Sequence, residues 1–203
     1  MNMILNRRLG RLSLALALLL CGRWPAGANP TGGSVAQGSA TISSLGSHLT
    51  INQTSASAFI NWQSFNIGVG ETTTFVQPSS SSLVWNQIKD ANPSQILGNL
   101  NANGYVVLQN ANGFYIGGQA SISTHGLVLT TAPTPALNLS GGGAWDFAAP
   151  APTAQIINYG RINIAGGGSA FLIASDIENN GTISAPGGQI GLYAGQKVLV
   201  SMA

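Results

Sequence analysis

Residues 158–172 read NYGRINIAGGGSAFL, and residues 179–193 read NNGTISAPGGQIGLY. The two lines share their landmarks. Asn158-Tyr159-Gly160 precedes Ile162, the Gly166-Gly167 pair and apolar Phe171-Leu172. Asn179-Asn180-Gly181 precedes Ile183, Gly187-Gly188 and Leu192-Tyr193, each landmark displaced by 21 residues. A repeat of that length, made of strand, glycine corner and strand, is what one coil of a parallel β-helix requires. A single coil cannot bury its own apolar face, whereas stacking on the next coil does so. The displacement predicts Ile162 stacked on Ile183 and Phe171 near Leu192.

Outward from that repeat the same punctuation continues. Residues 101–117, NANGYVVLQNANGFYIG, place Asn-Ala-Asn-Gly before an aromatic at 101 and again at 110, with no charged residue between. The two words read as consecutive corners, each supplying residues that tolerate positive φ, with YVVLQ and FYIG as the strands leaving them. A plain antiparallel hairpin is the other reading. Asn101, Asn103, Gly104 and Gly126 carry a turn-forming, structural claim. The short alternating runs HLTINQT, AFINWQSFNIG, TTTFVQP and SISTHGLVLTT predict further strands, and the class is all-β. Residues 82–89, SLVWNQIK, are the one helical candidate, short and rich in β-formers. Trp62, Phe65, Phe75 and Phe114 lie in strand contexts and are expected in the core, while Trp85 and Trp145 lie in less regular stretches that allow exposure.

The amino end belongs to a different vocabulary. Arg7, Arg8 and Arg11 precede LSLALALLL (12–20), an apolar run too short to span a bilayer, and Ala26-Gly27-Ala28 follows Pro25 as a small-x-small pattern. Residues 1–28 therefore read as a signal peptide cleaved before Asn29, with Ala26 and Ala28 marking the cut. The 203 residues less those 28 leave 175. Four of the seven basic residues leave while all five acidic residues stay, so the net charge falls from +2 to −2. With only Lys89, Arg161 and Lys197 remaining, there is no basic patch for nucleic acid or anionic lipid, and no membrane span is expected in the mature chain. Cys21, the only cysteine, leaves with the signal, and bulky Leu20 before it argues against a lipid anchor.

The mature length suits one domain, 29–203, of about eight coils at most. Residues 132–153, APTPALNLSGGGAWDFAAPAPT, hold four of the nine prolines and a triple glycine. Proline removes a ladder donor, so this segment reads as an excursion from the coil, with an interdomain linker as the alternative.

The runs NPTGGSVAQGSATIS (29–43), INWQSFNIGVGETTTFVQPSSSSLVWNQI (60–88), NPSQILGNLNANGYVVLQNANGFYIGGQASISTHGLVLTT (92–131) and GGQIGLYAGQKVLV (187–200) together resemble the filamentous haemagglutinin-type amino-terminal domain. That family is the two-partner-secretion domain of large Gram-negative exoproteins. The resemblance implies a right-handed parallel β-helix with an N-terminal cap and extra-helical strands. It also implies a role as the address by which an unfolded exoprotein in the periplasm is taken up by a dedicated outer-membrane β-barrel transporter with POTRA domains. The product would be secreted or held at the cell surface, and the passenger would be adhesin-like. Asn110-Ala111-Asn112-Gly113-Phe114 stands where such domains carry an Asn-Pro-Asn-Gly-Ile turn, which makes Asn110, Asn112 and Gly113 the residues implied in transporter recognition, on a surface corner. The family proline is alanine here, and Gln87 stands where the family commonly has arginine. Family members usually continue far beyond this point, and no polar cap follows Val200, which suggests a truncated or partial coding sequence.

Two other function classes were open to the sequence. A free-standing adhesin would bind a host or neighbouring-cell surface through uncharged ladder faces, although no residue specifies a ligand. A β-helix polysaccharide-degrading enzyme would need clustered carboxylates, and only Asp176 and Glu178 share a strand face, with Arg161 and Lys197 the nearest basic residues in sequence. His48 and His125 stand 77 positions apart without a third ligand at metal spacing. No nucleophile elbow, P-loop or dinucleotide fingerprint occurs, and GGGAWDF misses the calcium-repeat pattern at Ala144. The sequence therefore predicts no enzyme, no cofactor and no metal.

Overall fold

The computed structural model describes residues 29–133, 144–148, 150, 153–195 and 198–201. The signal-peptide expectation, with Ala26 and Ala28, and residues 134–143 of the proline-rich segment lie outside them.

Among the described residues every regular element is a strand. The chain opens with β1 (Ser34–Gln37) and β2 (Ala40–Leu45), then enters coils through β3 (His48–Gln53), β4 (Ser57–Trp62), β5 (Thr72–Val76), β6 (Leu83–Ile88) and β7 (Ser94–Ile96). It continues through β8 (Asn99–Ala102), β9 (Tyr105–Asn110), β10 (Phe114–Ile116), β11 (Ser121–Thr124) and β12 (Gly126–Thr130). After β13 (Ala144–Phe147), the coil resumes with β14 (Gln155–Asn158), β15 (Arg161–Ile164), β16 (Ser169–Ala174), β17 (Asp176–Asn179), β18 (Thr182–Ser184) and β19 (Gln189–Ala194). The last described strand is β20 (Val198–Ser201). The helical candidate at 82–89 is β6, because its alternation buries Val84, Asn86 and Ile88 on one face.

Three sheets form the walls. The first runs β1-β4-β6-β9-β12-β16-β19, the second β2-β3-β5-β8-β11-β15-β18, and the third β7-β10-β14-β17. From β6 to β19, β13 apart, successive strands visit the three sheets in rotation and pair in parallel with the strand one coil away, which makes a parallel β-helix and rules out the hairpin reading of 101–117. The N-terminal cap is the exception, since β1 pairs antiparallel with β4 and β2 antiparallel with β3.

The repeat that predicted the coil is present, with one correction. Ile162 pairs with Ile183 at a displacement of 21. In the first sheet the displacement is 20, so Leu172 pairs with Leu192 and Phe171 meets Gly191. The corner between β18 and β19 is one residue shorter than its predecessor. Alternation along β16 turns Leu172 into the core and Phe171 outward, so the one-residue change in register pairs Leu192 with the inner residue of the two. The Phe171 ring lies 6.2 Å from that of Tyr193.

The apolar core fills the inside of the coil, where Ile51, Ile60, Leu108, Ile122 and Ile162 are fully buried. Trp62, Phe65, Phe75 and Phe114 are buried there too. Phe65 lies 5.5 Å from Trp62 and stacks at 6.5 Å on Phe75. A buried amide belongs to this core: Asn86 accepts from the Trp62 indole at 2.9 Å and donates to the Val107 carbonyl at 3.1 Å. Each polar group thereby offsets the cost of burying the other.

A second apolar cluster lies on the outer face of the first sheet, around Phe59, Trp85, Val107 and Val128. β13 covers it, placing Trp145 at 5.4 Å and Phe147 at 6.2 Å from Trp85, and β20 pairs antiparallel with β13. The expectation of exposure thus fails for Trp85, which is fully buried, and Trp145 is half-buried. The Trp85 indole donates to Gln109 at 3.0 Å, and Gln109 donates to the Ala132 carbonyl at 2.9 Å, fastening the chain where it leaves the coil.

Candidate functional site

The residues singled out by the two NANG words fall at opposite ends of β9. At its start, Asn101 and Ala102 finish β8 and Asn103-Gly104 turns the chain into the first sheet. Asn103 accepts from the Gln77 backbone N–H at 2.7 Å and donates to the Gln77 carbonyl at 2.8 Å, so its side chain extends the ladder between coils as a peptide group would. Gly104 N–H donates to Gln77 Oε1 at 3.0 Å, and a Cβ on Gly104 would sit 2.6 Å from the Ser82 carbonyl. Gly126 lies directly over this corner, its N–H donating to the Gly104 carbonyl at 3.3 Å. A side chain there would enter the Tyr105 ring, 2.0 Å away. These glycines are required by close approach. Positive φ is not the reason, because among the described residues only glycines adopt it and neither Gly104 nor Gly126 does.

At the far end of β9, Asn110 closes the corner between the first and third sheets. Its amide donates to the Asn92 carbonyl at 3.1 Å and to Ser94 Oγ at 3.0 Å, and its Oδ1 accepts from the Asn112 N–H at 2.9 Å. Gly113 N–H donates to the Asn110 carbonyl at 3.1 Å, while Ser94 N–H donates to the Gly113 carbonyl at 3.0 Å. Asn112 reaches across to the Asp90 carbonyl at 2.7 Å. Gly113 has φ +110°, and a Cβ would lie 2.4 Å from the Gln155 carbonyl of the next coil. Of the positive-φ tolerance expected at both words, this one glycine uses it.

The structure corrects the surface placement of this corner. Asn110 is fully buried and Gly113 is buried, whereas Ala111 and Asn112 are exposed. Asn112 is the implied recognition side chain that folding leaves at the surface. Sequence reasoning also missed Gln77, whose amide donates to Gln53 Oε1 at 3.3 Å and to the Ser82 and Tyr105 carbonyls at 3.1 and 3.3 Å, joining neighbouring coils behind Asn103. The signal available was an amide residue just before Pro78 in an otherwise apolar strand ending.

The weaker candidates do not assemble into a reaction centre. Asp176 accepts from Gln155 at 2.9 Å, and Glu178 accepts from the Tyr159 hydroxyl at 3.1 Å and from Asn180. Both carboxylates are exposed on β17. His125 packs edge-on against Tyr105 at 5.4 Å. Among the described residues no group of three His, Cys, Asp or Glu is placed to hold a metal, and no helix is long and apolar enough to cross a membrane.

Comparison with known proteins agrees with this architecture. The solved HMW1 secretion domain from Haemophilus influenzae superposes with a TM-score of 0.75 at 35% identity, over 84% of this chain and 46% of that one. Two heme/hemopexin-binding proteins of Haemophilus influenzae are 36% identical over 134 residues and 43% identical over 83 residues. These alignments cover 66% and 41% of this chain but only 15% and 9% of the relatives, so the chain spans a small part of their length. A family model for the TPS secretion domain matches residues 26–202. The chain belongs to the TPS secretion domain family.

Proposed function

We propose that this domain is the export address of a longer secreted protein and has no enzymatic role of its own. In this reading a dedicated outer-membrane β-barrel transporter takes up the unfolded chain through periplasmic POTRA modules, after cleavage before Asn29. The chain winds into its β-helix on reaching the exterior, ahead of an adhesin-like passenger. The binding recorded in the names of the Haemophilus relatives is not carried over to these residues.

The observation that carries the reading is the family match across nearly the whole domain. The state of the Asn110 corner bears on how recognition would work. A partner that reads Asn110 must do so before folding, because the finished coil encloses that amide and occupies it with three hydrogen bonds. Uptake of an unfolded chain makes such a residue legible.

Co-expression of the chain with its cognate transporter tests this. Asn112→Ala removes a side chain implied in recognition and costs the folded coil one exposed hydrogen bond, so it is expected to lower export while the recovered protein keeps a β-rich circular dichroism spectrum. Ala111→Pro stiffens the same turn and is expected to leave export equal or higher. The mass of the exported chain should begin at Asn29. Export of the parent without any transporter, or export of Asn110→Ala and Asn112→Ala at parental levels, would refute the recognition role.

A further inference from the structure

The sequence contains three Asn-Gly pairs, at 103–104, 112–113 and 180–181, and each turns a corner of the coil. Asn-Gly is the dipeptide most open to succinimide chemistry, because a residue without a side chain leaves its backbone nitrogen uncrowded. In that reaction the glycine nitrogen bonds to the asparagine Cγ and the Cγ–Nδ2 bond breaks, the glycine amide proton leaving with the side-chain nitrogen as ammonia. Water then opens the ring at either carbonyl, giving aspartate or isoaspartate. The net change is asparagine plus water to acid plus ammonia, with no oxidant or catalyst.

In the folded coil the attacking nitrogen and the side-chain amide are each engaged by other hydrogen-bond partners at each pair. Gly104 N–H is bonded to Gln77 Oε1 at 3.0 Å, while the Asn103 amide is pinned to the Gln77 backbone through both of its polar atoms. Gly113 N–H is bonded to the Asn110 carbonyl at 3.1 Å, while the Asn112 amide donates to the Asp90 carbonyl at 2.7 Å. Gly181 N–H is bonded to the Asn158 carbonyl at 2.9 Å, while the Asn180 amide donates to Glu178. Closing a succinimide ring at any of them requires the corner to open first.

We propose that Asn103, Asn112 and Asn180 are deamidation sites of the unfolded chain, and that winding into the coil shields them; Asn103 and Asn112, in the two NANG corners, are the pair to follow. The product would be damaging in place. A carboxylate at 112 would face the Asp90 carbonyl where the Asn112 amide now donates. Isoaspartate would also add a main-chain carbon to a corner fixed by Ser94 on one side and Gln155 on the other. This inference is independent of the export reading, since it needs only the two conformational states.

The test compares the purified chain folded in buffer with the same chain held in concentrated urea, at one mildly alkaline pH and temperature. Samples are digested at intervals, and the peptides carrying residues 103 and 112 are followed by mass and for isoaspartate. Conversion in buffer is expected to be at least about tenfold slower at both sites, the factor set by a corner whose opening costs ~1.4 kcal/mol. Asn112→Gln in urea should abolish conversion in its own peptide and leave the Asn103 peptide unchanged. Folded rates equal to those in urea, or conversion of the 112 peptide persisting in Asn112→Gln, would overturn the proposal.

Discussion

Asn110 shows how far a residue's role depends on what lies above it. Read along the chain, Asn-Ala-Asn-Gly is a surface turn. In the coil the 90–94 segment passes beside it and takes two hydrogen bonds from its amide, while Oδ1 accepts a third. Ser94 is itself buried, so truncating Asn110 strands a hydroxyl as well. Asn110→Ala is therefore expected to cost about 2–4 kcal/mol of folding stability, and Asn112→Ala, at an exposed position, no more than ~1 kcal/mol. Urea unfolding of the two variants checks the order, and an Asn112 effect equal to or larger than the Asn110 effect would mean the buried network is misassigned. The turn was legible in the sequence because Asn and Gly announce it locally. The burial was not, because it is imposed by residues one coil earlier.

Among the elements, strand identity and stacking were readable wherever the repeat is regular. Ile162 over Ile183 followed from spacing alone. Phe171 near Leu192 did not hold, because the count of 21 assumed equal corners and the last glycine corner is one residue short. The consequence can be measured. In a Cys21→Ser background, cysteines at Leu172 and Leu192 should form a disulfide on mild oxidation, since directly paired strands bring Cα atoms within about 4.4–6.8 Å. Cysteines at Phe171 and Leu192 should not, because their side chains project from opposite faces of the sheet. The reverse outcome would restore the 21-residue register for this sheet. Trp85 was unreadable for a different reason. It sits on an outer strand face that solvent would normally claim, and its cover arrives from residues 144–147, well beyond any local pattern.

On the scale of the whole molecule, each coil stacks only on its neighbours, with β13 and its partner β20 as the one described connection that reaches across several coils, and the ladder hydrogen bonds between coils run along the stacking axis. That arrangement sets a mechanical character. A pull on the carboxyl end loads the bonds of one edge strand at a time, so the molecule peels and does not shear. The first contact to part is β20 from β13, and β19 then lifts from β16 with the rest of its coil. Held by its ends in a force spectrometer, the domain should lengthen in steps of one coil, about 70 Å each for ~20 residues of extended chain. A single cooperative rupture of the full length would contradict this. A fold that resists little when unwound from one end, yet is closed to its surroundings along its sides, behaves like thread on a spool: it can be drawn out or laid down through an opening no wider than the chain itself.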